Sequence, residues 1–429
     1  MNKIVNPNKQ DRLQLTQRPA ADISELKKIV NQIFDEIKKD GDEAVKKYSR
    51  LYDKVDLDSL AVNEKVITNA SKKVPGELKG AIQLAKNNIE KFHASQQERL
   101  KIIETVKGVN CWRESRAIEK VGIYIPGGTA PLFSTVLMLG IPAKLAGCKD
   151  VILCTPPDNS GNVNNVILYA ADLAGITSVF SVGGIQAIGA MTFGTKSIPK
   201  VEKIFGPGNQ YVTAAKQEAQ NFGAAIDMPA GPSELLIIAD KTCSPSFVAA
   251  DLLSQAEHGK DSQVILLSDD ENVTDQVLIE LEQQLKLLPR KEIAQQALEN
   301  SKAIVLSSLK ECIDFSNLYA PEHLILAGDN FKPLISEITN AGSVFIGNYS
   351  CESAGDYASG TNHTLPTNGY ARNYSGVSLD SFVKKITFQE LTKEGIQNIG
   401  SSIELMAEAE QLSAHKNAVT IRLKSFYNV

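Results

Sequence analysis

The segment KVGIYIPGGTAPLFSTVLMLGIPAKLAGCKDVILCT, residues 120–155, decides the fold. It contains two short apolar runs, VGIYI at 121–125 and DVILCT at 150–155, and a helix-length stretch at 131–147 separates them. Apolar runs of this length alternating with helix-length stretches are typical of βαβ units and a parallel sheet. We therefore predict a parallel sheet with helices packed on its faces.

The same alternation continues along the chain. Further predicted strands are ITSVFSV (176–182), VEKIF (201–205), ELLIIA (234–239), QVILLS (263–268), AIVLSS (303–308), HLILA (323–327) and SVFIG (343–347). Predicted helices occupy 163–174, 184–193 and 208–221. So many strands favour two sheets over one. The predicted fold class is α/β, with two Rossmann-like doubly wound parallel-sheet domains and small helical N- and C-terminal extensions.

The flanking regions predict mostly helices. Apolar residues recur at three- and four-residue steps in 22–51, and 76–107 has a similar, more charged pattern that carries His93, which we interpret as structural. The C-terminal 376–429 is too short for a large core of its own and must pack on something else. The predicted domains are an N-terminal arm (1–20), a discontinuous α/β domain (21–119 with 236–375), a cofactor-binding α/β domain (120–235) and a C-terminal helical tail (376–429).

Composition narrows the class of function. The 429 residues carry a net charge of −5 and no block of Lys or Arg, which argues against a nucleic-acid partner and favours a small molecule. No apolar run reaches the length of a membrane span, and the N-terminus lacks a secretory signal pattern, so we expect a cytoplasmic protein. The six cysteines contain no CxxC pair, which suggests neither a thiolate zinc site nor a disulfide framework.

Glycine-rich turns follow three of the predicted strands. They are Pro126-Gly127-Gly128, the stretch SVGGIQAIGAMTFG at 181–194, and Gly206-Pro207-Gly208-Asn209. None completes the GxGxxG pattern, and each alone is compatible with a plain tight turn. Because ligands of parallel sheets bind beyond the carboxyl ends of the strands, three such turns in one sheet favour a cofactor site.

Four of the five histidines lie in the C-terminal half, beside carboxylates, amides or glycines. In DLLSQAEHGKDSQ (251–263), Gln255 and His258 are spaced i, i+3 near a predicted helix end at Gly259, which fits either half of a metal site or a capping histidine. In NLYAPEHLIL (317–326), Glu322 and His323 precede a strand and together offer a carboxylate that activates water and an imidazole that shuttles protons. Adjacent residues of a regular strand face opposite ways, so both reach one site only if the backbone is irregular there.

The polar loop 347–367 holds Asp356 and His363, and its length favours a functional role. In AEAEQLSAHKNAV (407–419), Glu410 and His415 lie five residues apart, and Ser413 can cap a new helix that redirects them. A surface glutamate and a capping histidine remain the alternative. Together these segments offer four candidate metal ligands, which are Gln255, His258, Asp356 and His415. Their nitrogen and oxygen atoms suit zinc, although sequence spacing cannot prove that they meet.

Seven motifs occur in the order of a known family. They are IYIPGGTAPLFSTVLM, FGPGNQYV, IDMPAGPSE, LLSQAEHG, YAPEHL, GDYASGTNHTLPT and AEAEQLSAHKNAV. Together they resemble the histidinol dehydrogenase family from about Lys120 to the C-terminus. The resemblance implies a zinc-dependent, NAD-linked oxidation of L-histidinol through L-histidinal to L-histidine, the last step of histidine biosynthesis. It also implies a homodimer whose C-terminal tail reaches the active site of the partner.

The resemblance further implies roles for single residues, and the sequence departs from the family pattern at none of them. Glu322 and His323 correspond to the catalytic acid/base pair. The implied zinc ligands are Gln255, His258, Asp356 and His415. These ligands and His323 also correspond to substrate contacts, to which Ser233, His363 and Glu410 are added. The implied cofactor contacts are Tyr124, Gln186 and Asn209.

Three other functions stay open from the residues alone. A dehydrogenase with a cysteine nucleophile would use Cys148 or Cys111, but neither has a histidine partner nearby in the sequence. A zinc hydrolase would need no NAD. A binding protein without catalysis would need neither the Glu-His pair nor a full ligand set.

Overall fold

The computed structural model describes residues 1–18, 24–127 and 131–426, so Gly128 of the first predicted turn lies outside the described residues. Within these ranges, the strands are β1 (Asn2–Val5), β2 (Ile103–Val106), β3 (Val109–Ala117), β4 (Lys120–Tyr124), β5 (Asp150–Thr155), β6 (Ser178–Ser181), β7 (Lys203–Phe205), β8 (Ala225–Ile226), β9 (Glu234–Ala239), β10 (Gln263–Ser268), β11 (Lys302–Val305), β12 (His323–Ala327), β13 (Ser343–Ile346) and β14 (Val383–Leu391).

The helices, over the same ranges, are α1 (Lys9–Leu15), α2 (Ser24–Asp40), α3 (Asp42–Tyr48), α4 (Glu64–Ala70), α5 (Gly76–Ala94), α6 (Phe133–Ala146), α7 (Asn165–Ala174), α8 (Gly184–Phe193), α9 (Gln210–Ala219), α10 (Pro245–Ala256), α11 (Glu271–Leu285), α12 (Lys291–Glu299), α13 (Leu309–Tyr319), α14 (Glu352–Tyr357), α15 (Lys393–Ala409) and α16 (Ser413–Lys424). None of the described helices combines the length and the apolar character that a bilayer-crossing segment requires.

The first half of the chain forms a five-stranded parallel sheet in the order β6-β5-β4-β7-β8. One face packs against α2, α3, α8 and α9, and the other packs against α5, α6 and α7. Strands covered on both faces need continuous apolar runs, as in β5, where Val151 to Thr155 are all buried. The prediction of a doubly wound sheet is confirmed.

The second half forms a six-stranded parallel sheet in the order β1-β11-β10-β9-β12-β13. Helices cover both of its faces, so the prediction of a second doubly wound sheet is confirmed as well. Without β1, the strand order repeats that of the first sheet, because the earliest strand is central and the third lies outside the second. The two halves therefore share one topology. The sequence analysis did not predict β1, which pairs with β11 and joins the N-terminal arm to this sheet.

Two regions differ from the predicted helices and groupings. The helix predicted over 76–107 ends at Ala94, and residues 103–106 form β2 instead. The apolar sides of α2, α3 and α5 pack on the five-stranded sheet, although the sequence analysis grouped 21–119 with 236–375. The domain boundaries stay a prediction. His93 is buried and its Nδ1 lies 2.8 Å from the carbonyl oxygen of Ile89, within its own helix.

The chain divides into two compact units. The larger contains Met1–Gln96 and Ile118–Phe382, and the smaller contains Gln97–Ala117 and Val383–Val429. The smaller unit consists of an antiparallel sheet in the order β14-β3-β2, followed by α15 and α16. Within it, the ring of Trp112 stacks on that of its cross-strand partner Phe388, with centroids 5.5 Å apart. The predicted C-terminal helices are present, and a strand that pairs with 109–117 precedes them.

Candidate active site

A cleft of about 310 Å³ in the larger unit contains five of the residues singled out in the sequence. They are Asn209, Ser233, His258, Glu322 and His363. Many of the lining residues follow the carboxyl ends of β7 and β8 or precede the amino ends of β9, β10 and β12, and others come from the loop after α14. The cleft thus lies where the first sheet ends and the second begins, and the direct connection between β8 and β9 forms part of its wall.

Glu322 and His323 both reach one cluster of side chains. Glu322 lies just outside β12, which begins at His323, and Ala320 before it has a left-handed backbone with a φ of +56°. The irregular backbone that the sequence calls for at this point is a bend at Glu322, directly before the strand. Both side chains are buried, and Nδ1 of His323 lies 3.7 Å from Oε2 of Glu322.

The main chain of Glu234, at the start of β9, contacts both members of this pair. Its N–H donates to Oε2 of Glu322 at 2.9 Å. Its carbonyl oxygen lies 3.3 Å from Nδ1 of His323. A carbonyl oxygen can only accept, so this contact places the proton of His323 on Nδ1 and turns Nε2 towards the cluster. One residue of the neighbouring strand therefore orients both side chains.

Carboxyl groups surround His323. Oε1 of Glu352 lies 3.9 Å from its Nδ1, and Oδ1 of Asp356 lies 3.7 Å from its Nε2. Burial opposes a charge on the imidazole, but the carboxyls of Glu352, Glu322 and Asp356 outweigh it and raise the pKa of His323. Burial raises the pKa of Glu322 because it disfavours the charged carboxylate, and the lowering effect of the nearby His323 is smaller. Groups with pKa values shifted in this way, lining a cleft, are typical of an active site.

Metal-type donors meet at the same place. His258, Glu352 and Asp356 each offer a ligand atom, and these atoms lie within 4.8 Å of one another. Both amide atoms of the buried Gln255 side chain lack a hydrogen-bond partner among the described residues. An unpaired buried amide is costly, and a cation bound to its oxygen would remove part of that cost.

Glu352 was missed by the sequence analysis. It lies four residues before Asp356 on α14, and this i, i+4 spacing puts both carboxylates on one side of the helix. We had expected a polar loop in this region, so the helical spacing was not used. A second difference concerns α10, which ends at Ala256 rather than at Gly259, so that Gln255 belongs to the helix and His258 to the turn that follows.

His363 is held from two sides. Its Nδ1 lies 3.0 Å from the carbonyl oxygen of Asp356, and its Nε2 lies 3.0 Å from the hydroxyl of Thr135 at the start of α6. Because the carbonyl only accepts, Nδ1 carries the proton and Nε2 accepts from the hydroxyl. Thr135 therefore fixes the orientation of His363, and no pattern in the sequence pointed to that contact.

The predicted cofactor contacts surround the end of the five-stranded sheet. Asn209 caps α9, accepting from the N–H groups of Tyr211 and Val212, each at 3.1 Å. The hydroxyl of the buried Tyr124 accepts from the N–H of Gly184 at 3.1 Å. The buried Gln186 donates to Asp53 at 3.2 Å, and its amide oxygen has no partner within the described part of the chain.

A buried ion pair holds the turn before Asn209. Nζ of Lys216 lies 2.5 Å from Oδ1 of Asp227 and donates to the carbonyl oxygen of Gly206 at 2.7 Å. Oδ2 of Asp227 accepts from the N–H of Gly206 at 2.8 Å. A side chain on Gly206 would place its Cβ 2.0 Å from the carbonyl oxygen of Tyr124, and the φ of Gly206 is +124°. Glycine is needed at this position because the turn packs against the end of β4.

The smaller unit carries the remaining predicted residues, Glu410 and His415, both exposed. Glu410 is the capping residue directly after α15, Gln411 has a left-handed φ of +59°, and α16 begins at Ser413. The predicted second helix is therefore present. The prediction that Ser413 caps it is wrong, because Leu412 holds the cap position and no side-chain hydrogen bond forms there. The chain turns at Gln411 instead.

Cys148 is a poor candidate for a nucleophile. Burial raises the pKa of its thiol to about 11, and its Sγ lies 3.8 Å from the carbonyl oxygen of Phe382. A thiol of that pKa is almost entirely protonated near neutral pH and therefore reacts slowly. Cys111, the other candidate, lies on β3 of the smaller unit.

Comparisons with known proteins agree with one another. The histidinol dehydrogenase family model matches residues 16–423. A histidinol dehydrogenase of Bacteroides thetaiotaomicron is 55% identical over 99% of both chains. One from Escherichia coli O6:H1 is 53% identical over 96% of this chain and 95% of its own. The crystal structure of histidinol dehydrogenase from Elizabethkingia anophelis superposes with a TM-score of 0.98 and 65% identity, covering 100% of this chain and 99% of the other.

Proposed function

Because the chain belongs to the histidinol dehydrogenase family, an oxidoreductase family acting on an alcohol and an aldehyde, we propose that it catalyses a zinc-dependent, NAD-linked reaction in two steps. L-histidinol is oxidised to L-histidinal and then to L-histidine, the last step of histidine biosynthesis. The observation that carries this proposal is the meeting of Glu322 and His323 with the metal-type donors His258 and Asp356 beside one cleft.

The donor set fits zinc. An imidazole and carboxylates are common zinc ligands, and the unpaired amide of Gln255 adds an oxygen. Gln255, His258, Asp356 and His415 would hold the ion, and Glu352 is a further carboxylate within reach of it. Zinc, when bound, supplies a Lewis acid that can bind the imidazole and amino nitrogens of the substrate. A cation bound to Asp356 would also neutralise part of the negative charge that raises the pKa of His323. The lower pKa would favour a neutral imidazole, which can accept a proton.

The protons are assigned to the two residues at the start of β12. His323 accepts the proton of the alcohol oxygen in the first oxidation. Glu322 then accepts a proton from the water that adds to the aldehyde carbon, and His323 accepts one from the resulting hydrate in the second oxidation. NAD, when bound, accepts the hydride of each step. The N–H of Glu234 holds Glu322 in place by a 2.9 Å hydrogen bond.

Binding roles complete the proposal. Ser233, His363 and Glu410 contact the substrate together with the metal ligands and His323, and Tyr124, Gln186 and Asn209 contact the cofactor. The position of Asn209, Ser233 and His363 on one cleft supports a shared site for cofactor and substrate. Holding the carbinol carbon against the nicotinamide converts binding energy into orientation.

We further propose a cytoplasmic homodimer whose smaller unit reaches the partner's active site. This unit exposes large apolar side chains on α15 and α16, namely Leu405, Met406 and Ile421, which are 69%, 67% and 55% exposed. Apolar surface of this kind is typical of contact with another chain. Glu410 and His415 belong to the same unit, which agrees with a role towards a partner.

The test is the amount of NADH formed per L-histidinol consumed at limiting substrate, for the purified protein and after chelation. We expect two NADH per substrate, loss of activity on chelation and recovery with zinc. A ratio of one would mean that the aldehyde escapes, which contradicts the assigned role of Glu322. No NADH with metal present would contradict the dehydrogenase and favour a zinc hydrolase or a binding protein.

A further inference from the structure

The N-terminal arm reaches the candidate active site through one arginine. Arg18 follows α1, and its guanidinium binds both carboxylate oxygens of Glu234, with Nε to Oε1 at 2.5 Å and Nη2 to Oε2 at 2.8 Å. Both side chains are largely withdrawn from solvent, at 12% and 3% exposed. The guanidinium also lies over the ring of Tyr319, 3.9 Å from its centroid. A two-bond pair of this kind fixes direction as well as distance.

Arg18 also holds the turn that leads to the catalytic pair. Its Nη2 donates to the carbonyl oxygens of Tyr319 at 2.9 Å and Ala320 at 3.3 Å. Ala320 has a left-handed φ of +56°, and the chain bends two residues later at Glu322, directly before β12. The same guanidinium therefore contacts the start of β9 and the turn before β12.

Glu234 connects the contact with Arg18 to the side chains of Glu322 and His323. Its main chain contacts Glu322 through its N–H and His323 through its carbonyl oxygen. Its side chain also accepts from the N–H of Asn368 at 2.8 Å, in the loop that follows His363. Segments carrying Ser233, the Glu322-His323 pair and His363 thus converge on one residue, Glu234, the pair through its main chain and the loop after His363 through its carboxylate.

Fastening the arm does not require Arg18. β1 pairs with β11 over four residues, Arg12 binds Glu311 at 2.9 Å, and Lys302 donates to the carbonyl oxygen of Leu15 at 3.0 Å. A buried ion pair also contributes little net stability, because desolvation of both charges offsets their attraction. A role in geometry accounts better for its burial beside the catalytic pair.

We propose that the Arg18–Glu234 pair is a positioning device for Glu322 and His323, so that the N-terminal arm forms part of the active site. The assignment of those two residues rests on the function proposed above. Arg18 itself touches neither the substrate nor a reacting atom. Its contribution is the placement of a carboxylate and an imidazole, and a displacement of about 1 Å in such groups can lower a rate by roughly 100-fold.

The experiment compares Arg18→Lys with Arg12→Met. Lysine keeps the charge but lacks the planar fork that binds Glu234 and the two carbonyl oxygens together. Arg12 belongs to the same arm and forms an ion pair away from the site, so it is the matched control. We expect Arg18→Lys to fold and to lower kcat by about 100-fold, most strongly for the aldehyde step that needs Glu322, with KM for NAD within about 2-fold of wild type. Arg12→Met should match wild type in kcat and KM.

A crystal structure of Arg18→Lys gives a readout independent of turnover. We expect a lengthened distance from the N–H of Glu234 to Oε2 of Glu322. The double variant Arg18→Met/Glu234→Gln removes both charges, so it separates positioning from an unpaired buried carboxylate: it should fold and still show the lowered kcat.

Several results would overturn the proposal. The first is a folded Arg18→Lys protein with wild-type kcat for both steps, and the second is an undisplaced catalytic pair in its crystal structure. An equal loss of kcat in Arg12→Met would also overturn it. If neither Arg18→Lys nor the double variant folded, the Arg18–Glu234 pair would be structural. Failure of the proposed function is distinct, because the wild-type protein itself would then form no NADH from L-histidinol. The crystal structure would still decide whether Arg18 positions the pair.

Discussion

Glu322 and His323 reach a common site because the first of them lies outside the regular strand. A regular strand would turn their side chains to opposite faces, but the chain bends at Glu322 and β12 begins only at His323. The bond from the Glu234 N–H then directs the carboxylate of Glu322. At this scale the chemistry depends on a few contacts of about 3 Å, and single substitutions can test them.

Glu322→Gln tests the division of labour in the pair. The amide keeps the shape and can still accept from Glu234, but it cannot take a proton from water. We expect alcohol oxidation to be spared and aldehyde oxidation to fall by about 100-fold or more, so that NADH per L-histidinol drops from two towards one. Half-reaction rates with L-histidinol and L-histidinal measure this, and the exposed Glu282→Gln serves as the control. Equal loss in both steps would contradict the separate role of Glu322.

Gln255→Leu tests the metal site by stability rather than by rate. The amide atoms of Gln255 are buried without partners in the part of the chain that the structure describes, so an apolar side chain of similar size removes an unpaired group. We expect the variant to gain about 1–2 kcal/mol in the free energy of unfolding with chelator present. Zinc should stabilise wild type more than the variant, because the stabilisation by a ligand that binds the native state grows with the logarithm of its affinity. Urea unfolding with chelator and with zinc measures both effects, and equal stabilisation by zinc would exclude Gln255 as a ligand.

Among the elements, α10 carries both Gln255, the proposed amide ligand, and an acidic group whose pKa is shifted. Burial raises the pKa of Asp251 to about 7, against an ordinary value near 4. The native state therefore binds more protons than the unfolded chain between about pH 4 and pH 7. The contribution of Asp251 to the free energy of unfolding therefore decreases as the pH rises from about 4 to about 7.

Asp251→Asn should remove this pH dependence. Asparagine does not ionise, so relative to wild type the variant should gain stability between pH 5 and pH 8, by about 2 kcal/mol after allowance for partial exposure of the carboxyl. Urea unfolding of both proteins at the two pH values, with chelator present, measures the difference. The comparison cancels the titrating groups that do not interact with Asp251, whereas Glu352, whose pKa the Asp251 carboxyl raises, changes with it. A difference between the proteins that does not change with pH would contradict the shifted pKa.

The turn between β7 and α9 packs closely against the end of β4. Gly206→Ala would place a Cβ 2.0 Å from the carbonyl oxygen of Tyr124 and would force a positive φ on alanine. We expect a loss of about 2 kcal/mol or more in the free energy of unfolding and a raised KM for NAD, since the turn leads to Asn209. Gly80→Ala on α5 is the control, because its Cβ meets nothing within 4 Å and alanine favours a helix. Equal stability of the two variants would contradict the close packing of this turn.

For the molecule as a whole, the two units divide the predicted site residues between them. The smaller unit carries Glu410, directly after α15, and His415, on α16, while the larger unit carries the cleft. The proposed homodimer gives these exposed residues a role in the active site of another subunit.

Mixed subunits test this sharing. His415→Ala and Glu322→Gln proteins should each show impaired conversion of L-histidinal to L-histidine, which is the activity measured here. If the ligand on the smaller unit serves the partner, a mixed dimer contains one site with neither substitution, and the mixture should recover up to about a quarter of wild-type activity after random exchange. Co-expression with two tags isolates the mixed dimer. No recovery in the purified mixed dimer would show that each chain completes its own site.

The sequence by itself determined much of this protein. The runs of β5, β9, β10 and β12 were predicted to the residue, because strands covered on both faces must be continuously apolar. The ordered motifs indicated the family. Periodicity is a local property of the chain, and so is a motif.

Tertiary structure alone decided which distant segments meet. Nothing local indicated that Arg18 binds Glu234, that Thr135 orients His363, or that the helices of 24–94 pack on the five-stranded sheet. The strand 109–117 was missed because it alternates and is only partly buried, so its pairing with 383–391 depends on a segment far along the chain. Such contacts depend on how the sheets and helices pack together, because the local sequence around a residue does not specify its partner in a tertiary contact.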